Sequence, residues 1–207
     1  MRINVAYESN YVVDAMMGAL RPESRTELFS VAGRAVMNFV QRHIRGYMRT
    51  KHHTANMLGA RPTGHYRKGA AAMTTSADSS GAEVRIPIPG INRAYEDLEI
   101  RPGPGKRALT LPRAAVAYGR KVSEVRELGW TVFHPKGTNW LLGRRAGEDT
   151  SVYTLPTLLY TLVGGVLQRR DPSLLPPLGD IAATGWQAMW KRIHSAVAKA
   201  RAGGLKK

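Results

Sequence analysis

Residues 24–48 read SRTELFSVAGRAVMNFVQRHIRGYM, and this stretch decides the fold. Leu28, Val31, Ala32, Ala35, Val36, Phe39, Val40, Ile44 and Tyr47 recur at steps of three and four, the period of one helix face. The opposite face carries Arg25, Ser30, Arg34, Asn38, Gln41, Arg42 and Arg45. Ser24 and Glu27 stand three apart at the start, the spacing of a capping box. At 1.5 Å per residue the helix runs roughly 35 Å, about the width of a small domain. Such a helix needs an apolar partner surface as long as itself, and the short strands downstream supply one. Only one long stripe is present and no heptads run on, which argues against a free-standing coiled coil.

Working outward, Arg2–Ala6 is β-like, and Tyr11–Leu20 reads either as a helix packing on the main one or as an arm on a neighbouring subunit. Residues 49–69 read as a basic polar loop with three histidines, His52, His53 and His65, and no Asp or Glu. Without carboxylates a metal site there lacks its usual supporting groups, so a basic loop is the simpler reading. Thr74–Gly81 reads as a connector or turn. Val84, Ile86 and Ile88 alternate with polar or proline positions, a half-buried strand at a sheet edge or ended by Pro87 and Pro89.

Ile91–Glu96 reads as a turn or helical piece, and short strands are expected at 98–100, 108–111, 130–134, 139–144 and in the second half of 153–167. Gly164 and Gly165 mark a bulge or close approach there. Asp180 is placed to cap a second helix with the stripe Ala183, Trp186, Met189, Trp190, Ile193 and Val197. The expected architecture is α+β: a small antiparallel sheet packed by a long amphipathic helix, with a C-terminal helix. The expected organisation is an N-terminal arm over 1–21, one domain over 22–198, and a basic flexible tail over 199–207.

Composition narrows the chemistry. The 207 residues contain no cysteine, which excludes disulfides, thiolate catalysis and Cys-based zinc sites. No secretory leader and no run of 18 apolar residues is present, so no membrane association is expected. Lys and Arg number 31 against 15 Asp and Glu, a formal charge of +16. A surface of that charge attracts polyanions by counterion release. The basic residues are spread along the sequence, with the tightest clusters at Arg144–Arg145, Arg169–Arg170 and the tail, which points to proximity to nucleic acid rather than to sequence recognition.

No catalytic constellation and no cofactor motif is found. Gly103-Pro104-Gly105-Lys106 fails as a phosphate loop, because Ile100 stands where the first glycine is needed and Arg107 where Ser or Thr is needed. Glu96, Asp97 and Glu99 form an acidic group, but Arg93 and Arg101 beside them make ion pairing the simpler account. His134 and His194 stand alone, and no serine sits in a Gly-x-Ser-x-Gly turn.

Several stretches occur in an order that resembles a known group. Residues 56–66 (NMLGARPTGHY) follow the long helix; residues 91–102 (INRAYEDLEIRP) are followed by 107–112 (RALTLP); residues 133–145 form a hairpin ending in LLGRR; and residues 168–176 (QRRDPSLLP) precede the last helix. This order resembles the virion-morphogenesis family of tailed bacteriophages, the tail completion proteins of Mu-like and P2-like phages, over roughly residues 22–195. The resemblance implies a non-enzymatic virion protein with a tail-terminator-like fold, a ring, commonly a hexamer, at the neck or tail end. Its implied partners are further copies of itself, the tail tube, the neck and connector proteins, and genomic DNA passing through the lumen. The ring would assemble in the host bacterial cytoplasm. The strong basicity departs from the family pattern, which leaves stopper or adaptor ring as alternatives to tail terminator. Under this reading Arg61, Arg67, Lys68, Arg101, Lys106 and Arg107 are candidates for the lumen or the neighbouring ring, and Arg93, with Glu96 and Asp97, for contacts between subunits. Two other readings are a basic DNA-binding module outside any virion and a nuclease using His52, His53 and His65.

Overall fold

A computed structural model describes residues 2–5, 21–50, 53–147 and 155–204. In chain order the elements are β1 (Arg2–Val5), α1 (Pro22–Thr50), α2 (His53–Met57), α3 (His65–Ala71), β2 (Thr74–Ala77), β3 (Ala82–Arg85), β4 (Leu98–Ile100), β5 (Leu109–Pro112), α4 (Val122–Glu127), β6 (Trp130–Phe133), β7 (Trp140–Arg145), β8 (Thr157–Val163), β9 (Val166–Gln168) and α5 (Leu178–Gly204). Single 3-10 turns lie at Ile91–Ala94, Ala115–Ala117 and Pro172–Leu174. The expected α+β architecture is what the chain adopts, with a long helix, small antiparallel sheets and a C-terminal helix. The stretch Tyr11–Leu20, read as helix or arm, lies outside the described residues. Contacts cluster in two compact units, each discontinuous in sequence: Met1–Arg49, His65–Glu96 and Arg170–Lys207 form one, and Thr50–Gly64 with Asp97–Arg169 the other.

In the first unit, α1 begins at Pro22, two residues before the expected cap. Proline suits the first helical position because its missing N–H has no partner there anyway. Thr26 Oγ1 donates to the Pro22 carbonyl at 3.0 Å. Ser24 therefore lies inside the first turn, and Glu27 turns to Arg192 of α5, whose Nε lies 3.0 Å from Glu27 Oε1, instead of closing a capping box. Val36, Val40 and Ile44 are completely buried, against Val84, Ile86, Ile88, Ile91, Leu174 and Ile181 among others. Each such side chain contributes about 1.5–3 kcal/mol by leaving water. A charged residue at Val40 would abolish this docking.

The sheet under α1 has the order β1-β3-β2, antiparallel throughout. The β-like reading of Arg2–Ala6 holds over Arg2–Val5, with Ile3 opposite Val84. Thr74–Gly81, expected as a connector or turn, is a strand followed by the turn of a hairpin, its end fixed by Asp78 accepting from the Ser80 and Gly81 N–H groups at 2.7 and 3.0 Å. β3 is central rather than an edge, and it ends before Pro87, where the missing donor costs nothing.

The second helix starts at Leu178 after Pro177, which accepts from the Asp180 and Ile181 N–H groups at 3.0 and 3.1 Å, so Asp180 lies within the first turn and is not its cap. Its buried face is Ile181, Gly185 and Met189, flanked by Trp186 and Ile193. Ala183, Trp190 and Val197, expected in the stripe, face solvent. Two apolar strips run along this helix, and spacing alone does not choose between them. The strip that contains Gly185 docks. The backbone remains helical through Gly204, beyond the expected boundary at 198.

The second unit holds a two-stranded ladder, β4-β9, and a four-stranded sheet, β5-β8-β7-β6. The expected hairpin is β6-β7, with Phe133 opposite Leu142. Val125, Leu159 and Tyr160 are buried at its core, and the Tyr160 hydroxyl donates to the Arg120 carbonyl at 3.0 Å. The break between β8 and β9 falls at Gly164–Gly165. A Cβ on Gly165 would lie 3.4 Å from the Ile100 carbonyl, the close approach expected there.

Candidate nucleic-acid interface

The basic residues singled out from the sequence divide between the units. Arg61, Arg101, Lys106 and Arg107 are exposed on the second unit, and Arg67 and Lys68 on the first. The expected loop over 49–69 is largely helical: its segments are the end of α1, α2 and most of α3, and Arg67 and Lys68 sit on α3. Basic composition masked this, because such helices are too short for an apolar stripe to show. Gly103–Lys106 forms a tight turn, with the Lys106 N–H donating to the Gly103 carbonyl at 3.0 Å and Gly105 at φ +75°. Arg101 grips Glu99 with both ends of its guanidinium, at 2.8 and 3.1 Å. The Arg101 hydrogen bond holds the Glu99 carboxyl below its usual range, and Arg101 and Glu99 form one of the expected ion pairs. These two side chains border an open groove of about 480 Å³ floored by Gly164–Leu167.

Arg93 sits elsewhere than expected. The structure turns it inward, where Nη2 donates to the hydroxyls of Tyr47 (3.1 Å) and Tyr66 (3.4 Å) and lies 3.9 Å from Asp171 Oδ2. The Tyr47 hydroxyl donates to Asp171 Oδ2 at 2.8 Å, and the Asp171 N–H donates to the Arg93 carbonyl at 2.7 Å. The two tyrosine rings meet edge to face, 5.7 Å apart. Burial first, then the Asp171 hydrogen bond and charge, push the Tyr47 hydroxyl up to about 12. This cluster ties the end of α1, α3, the turn at Ile91–Ala94 and the segment before α5 into one unit. Arg93 Nε is buried and without a partner, a cost that the other bonds of the cluster offset.

His52 and the side chain of His53 lie outside the described residues, and His65 meets the Tyr66 ring edge at 5.4 Å. Among the described residues no group of three His, Cys, Asp or Glu is placed to hold a metal ion. His134 Nε2 lies 2.6 Å from the Thr138 carbonyl, and His194 lies against Trp190.

What sequence reading missed is on α1. Arg34, Arg42, Arg45 and Arg49 are all exposed, with Asn38 between the first two. At 3.6 residues per turn these five positions fall within an arc of about 80°, on the side away from Val36, Val40 and Ile44. From residue 28 to residue 50 the helix contains no carboxylate. The signal lies in the polar face of the same stretch, where the arginines are three to eight residues apart and form no local cluster of charge. No protein-family model, no curated protein and no solved structure matches this chain.

Proposed function

We propose that this chain is a structural, non-enzymatic protein of a tailed-bacteriophage virion, a subunit of the ring that completes the tail or joins it to the head. The ordered stretches that resemble the tail completion proteins, with a long helix and small antiparallel sheets in the fold, support this reading. The observation that carries it is the order of those stretches along residues 22–195, and the formal charge of +16 is compatible with a ring around DNA. A closed ring repeats that charge about its axis, and six copies gather on the order of a hundred positive charges around a DNA channel. Such a ring holds DNA through phosphates, without reading sequence, and its other partners are the tail tube and connector proteins.

The mass of the purified protein by light scattering, with negative-stain imaging of any large species, tests the proposal. A closed ring with a hole wide enough for duplex DNA is the expected result, from the protein alone or on tail tubes. A chain that stays monomeric with tails present and binds free duplex tightly overturns it in favour of a basic DNA-binding module. Charge reversal at Arg61, Arg67 and Lys68 is expected to lower the yield of tailed particles. Normal yield would remove those residues from the lumen.

A further inference from the structure

We infer that the outward face of α1 is a duplex-DNA surface, on which Arg34, Arg42, Arg45 and Arg49 contact backbone phosphates. It shares the DNA partner of the ring reading but places the contact on a different surface, and it holds whether or not a ring forms.

The geometry is that of a charged rail. Fifteen residues separate Arg34 from Arg49, about 22 Å of helix. A duplex presents one phosphate charge per ~1.7 Å of its axis, so a run of that length faces on the order of a dozen phosphates. All four cations are arginine, whose planar fork grips phosphate oxygens in pairs, and no lysine occurs on the helix. The acids of α1, Glu23 and Glu27, precede the rail, and Glu27 is neutralised by Arg192. No carboxylate on the rail competes with phosphate for the guanidinium groups.

Contacts of the rest of the helix surface fix the rail in place. Val36, Val40 and Ile44 are fully buried, Gln41 Nε2 donates to the Ala70 carbonyl at 2.9 Å, and His43 Nε2 lies 2.9 Å from the Ser173 carbonyl. These contacts set the rotation of the helix about its axis and so keep the arginines outward. The rail specifies charge and spacing but offers no set of base-reading groups, so binding is indifferent to sequence.

The test is the salt dependence of binding to a fluorescent 24-base-pair duplex of mixed sequence, compared between wild type and the triple variant Arg34→Gln, Arg42→Gln, Arg45→Gln. Glutamine matches arginine in helix propensity, and circular dichroism checks that both proteins are folded. Each phosphate contact contributes about 0.9 to the slope of log K against log salt. The variant is expected to lose about 2.7 from the slope. Four such contacts weaken wild-type binding roughly 150-fold between 50 and 200 mM salt, and the one remaining leaves about 3- to 4-fold from this face.

A control variant removes the same charge from the second unit, at Lys136, Arg144 and Arg169, and is expected to change the slope by less than about 1. An unchanged slope in the helix variant, or an equal loss in the control, overturns the inference. So does a helix variant that loses binding to phosphatidylglycerol vesicles while keeping its binding to duplex. Oligomer mass, measured on the same samples, reports on the ring separately, so the failure of either reading is recognisable by itself.

Discussion

Two glycines on α1 make the same substitution run in opposite directions. Gly46 is exposed, and a Cβ built there meets nothing within 4 Å. Gly46→Ala therefore gains the helix propensity difference alone, about 0.8–1 kcal/mol. Gly33 lies where α1 crosses the β2–β3 hairpin, and its Cβ would stand 2.5 Å from Thr75 Oγ1 and 3.1 Å from Ala82 Cβ. Thr75 would have to move by about 1 Å, and overpacking of that kind costs about 1–3 kcal/mol. The propensity gain offsets part of this, leaving Gly33→Ala destabilising by up to about 2 kcal/mol.

Thr75 supplies the internal control. Its Oγ1 is buried with no hydrogen-bond partner, so Thr75→Ala removes an unsatisfied group along with the obstruction. The double variant Gly33→Ala, Thr75→Ala is expected to recover at least about 1 kcal/mol beyond the sum of the single changes. Urea denaturation of the four proteins, with Gly46→Ala alongside, measures the cycle. If Gly33→Ala stabilises as much as Gly46→Ala and the coupling is zero, the close approach of helix and hairpin is refuted.

Other expectations follow from the same packing and charge. Gly69→Ala should destabilise by about 1–3 kcal/mol less the propensity gain, because a Cβ there runs into Ile88 Cγ1; thermal melting reads it. Tyr47 titrates near 12 in the fold against about 10 unfolded, so its contribution is complete below pH 10 and is lost as pH rises from 10 to 12. The bound is about 2.7 kcal/mol, discounted because solvent reaches the Arg93 and Asp171 side chains, 20% and 25% exposed. Comparing Tyr47→Phe with wild type across that window by denaturation isolates it from the other tyrosines. The Ser80 hydroxyl and the Ser80 and Gly81 N–H groups hold the Asp78 carboxyl below its usual value. The hairpin should therefore keep that support above pH 3.8 and lose it as pH falls through the lower folded value. Asp78→Ala should remove the dependence, read by amide exchange in β2 and β3.

How much was legible depended on whether a signal was periodic or spatial. The long helix and the β6–β7 hairpin announce themselves through their residue patterns and stand close to where the pattern put them, whereas β3 ends at Arg85 and keeps only the start of the alternation from Val84 to Ile88. The caps did not. Ser24 with Glu27 and Asp180 satisfied local rules, but Pro22 and Pro177 preceded them and started each helix earlier. Thr74–Ala77 is too polar and too small in its side chains to declare a strand, and it forms one because β3 offers it a ladder. Arg93 has the same character: beside Glu96 and Asp97 in sequence, it belongs in space with Tyr47, Tyr66 and Asp171.

Charge repeats the lesson, with a consequence for function. Read along the chain, the basic residues look diffuse, and the densest runs are doublets such as Arg144–Arg145. Helical periodicity gathers Arg34, Arg42, Arg45 and Arg49 onto one line, although no two are adjacent in sequence. A burial pattern that fixes which face of α1 is inside also fixes which is outside, so the residues that build the core determine where the arginines point. A substitution that rotated the helix about its axis would damage folding and polyanion binding together. Arg→Gln changes on the outer face should separate the two, leaving the core intact while lowering the salt slope.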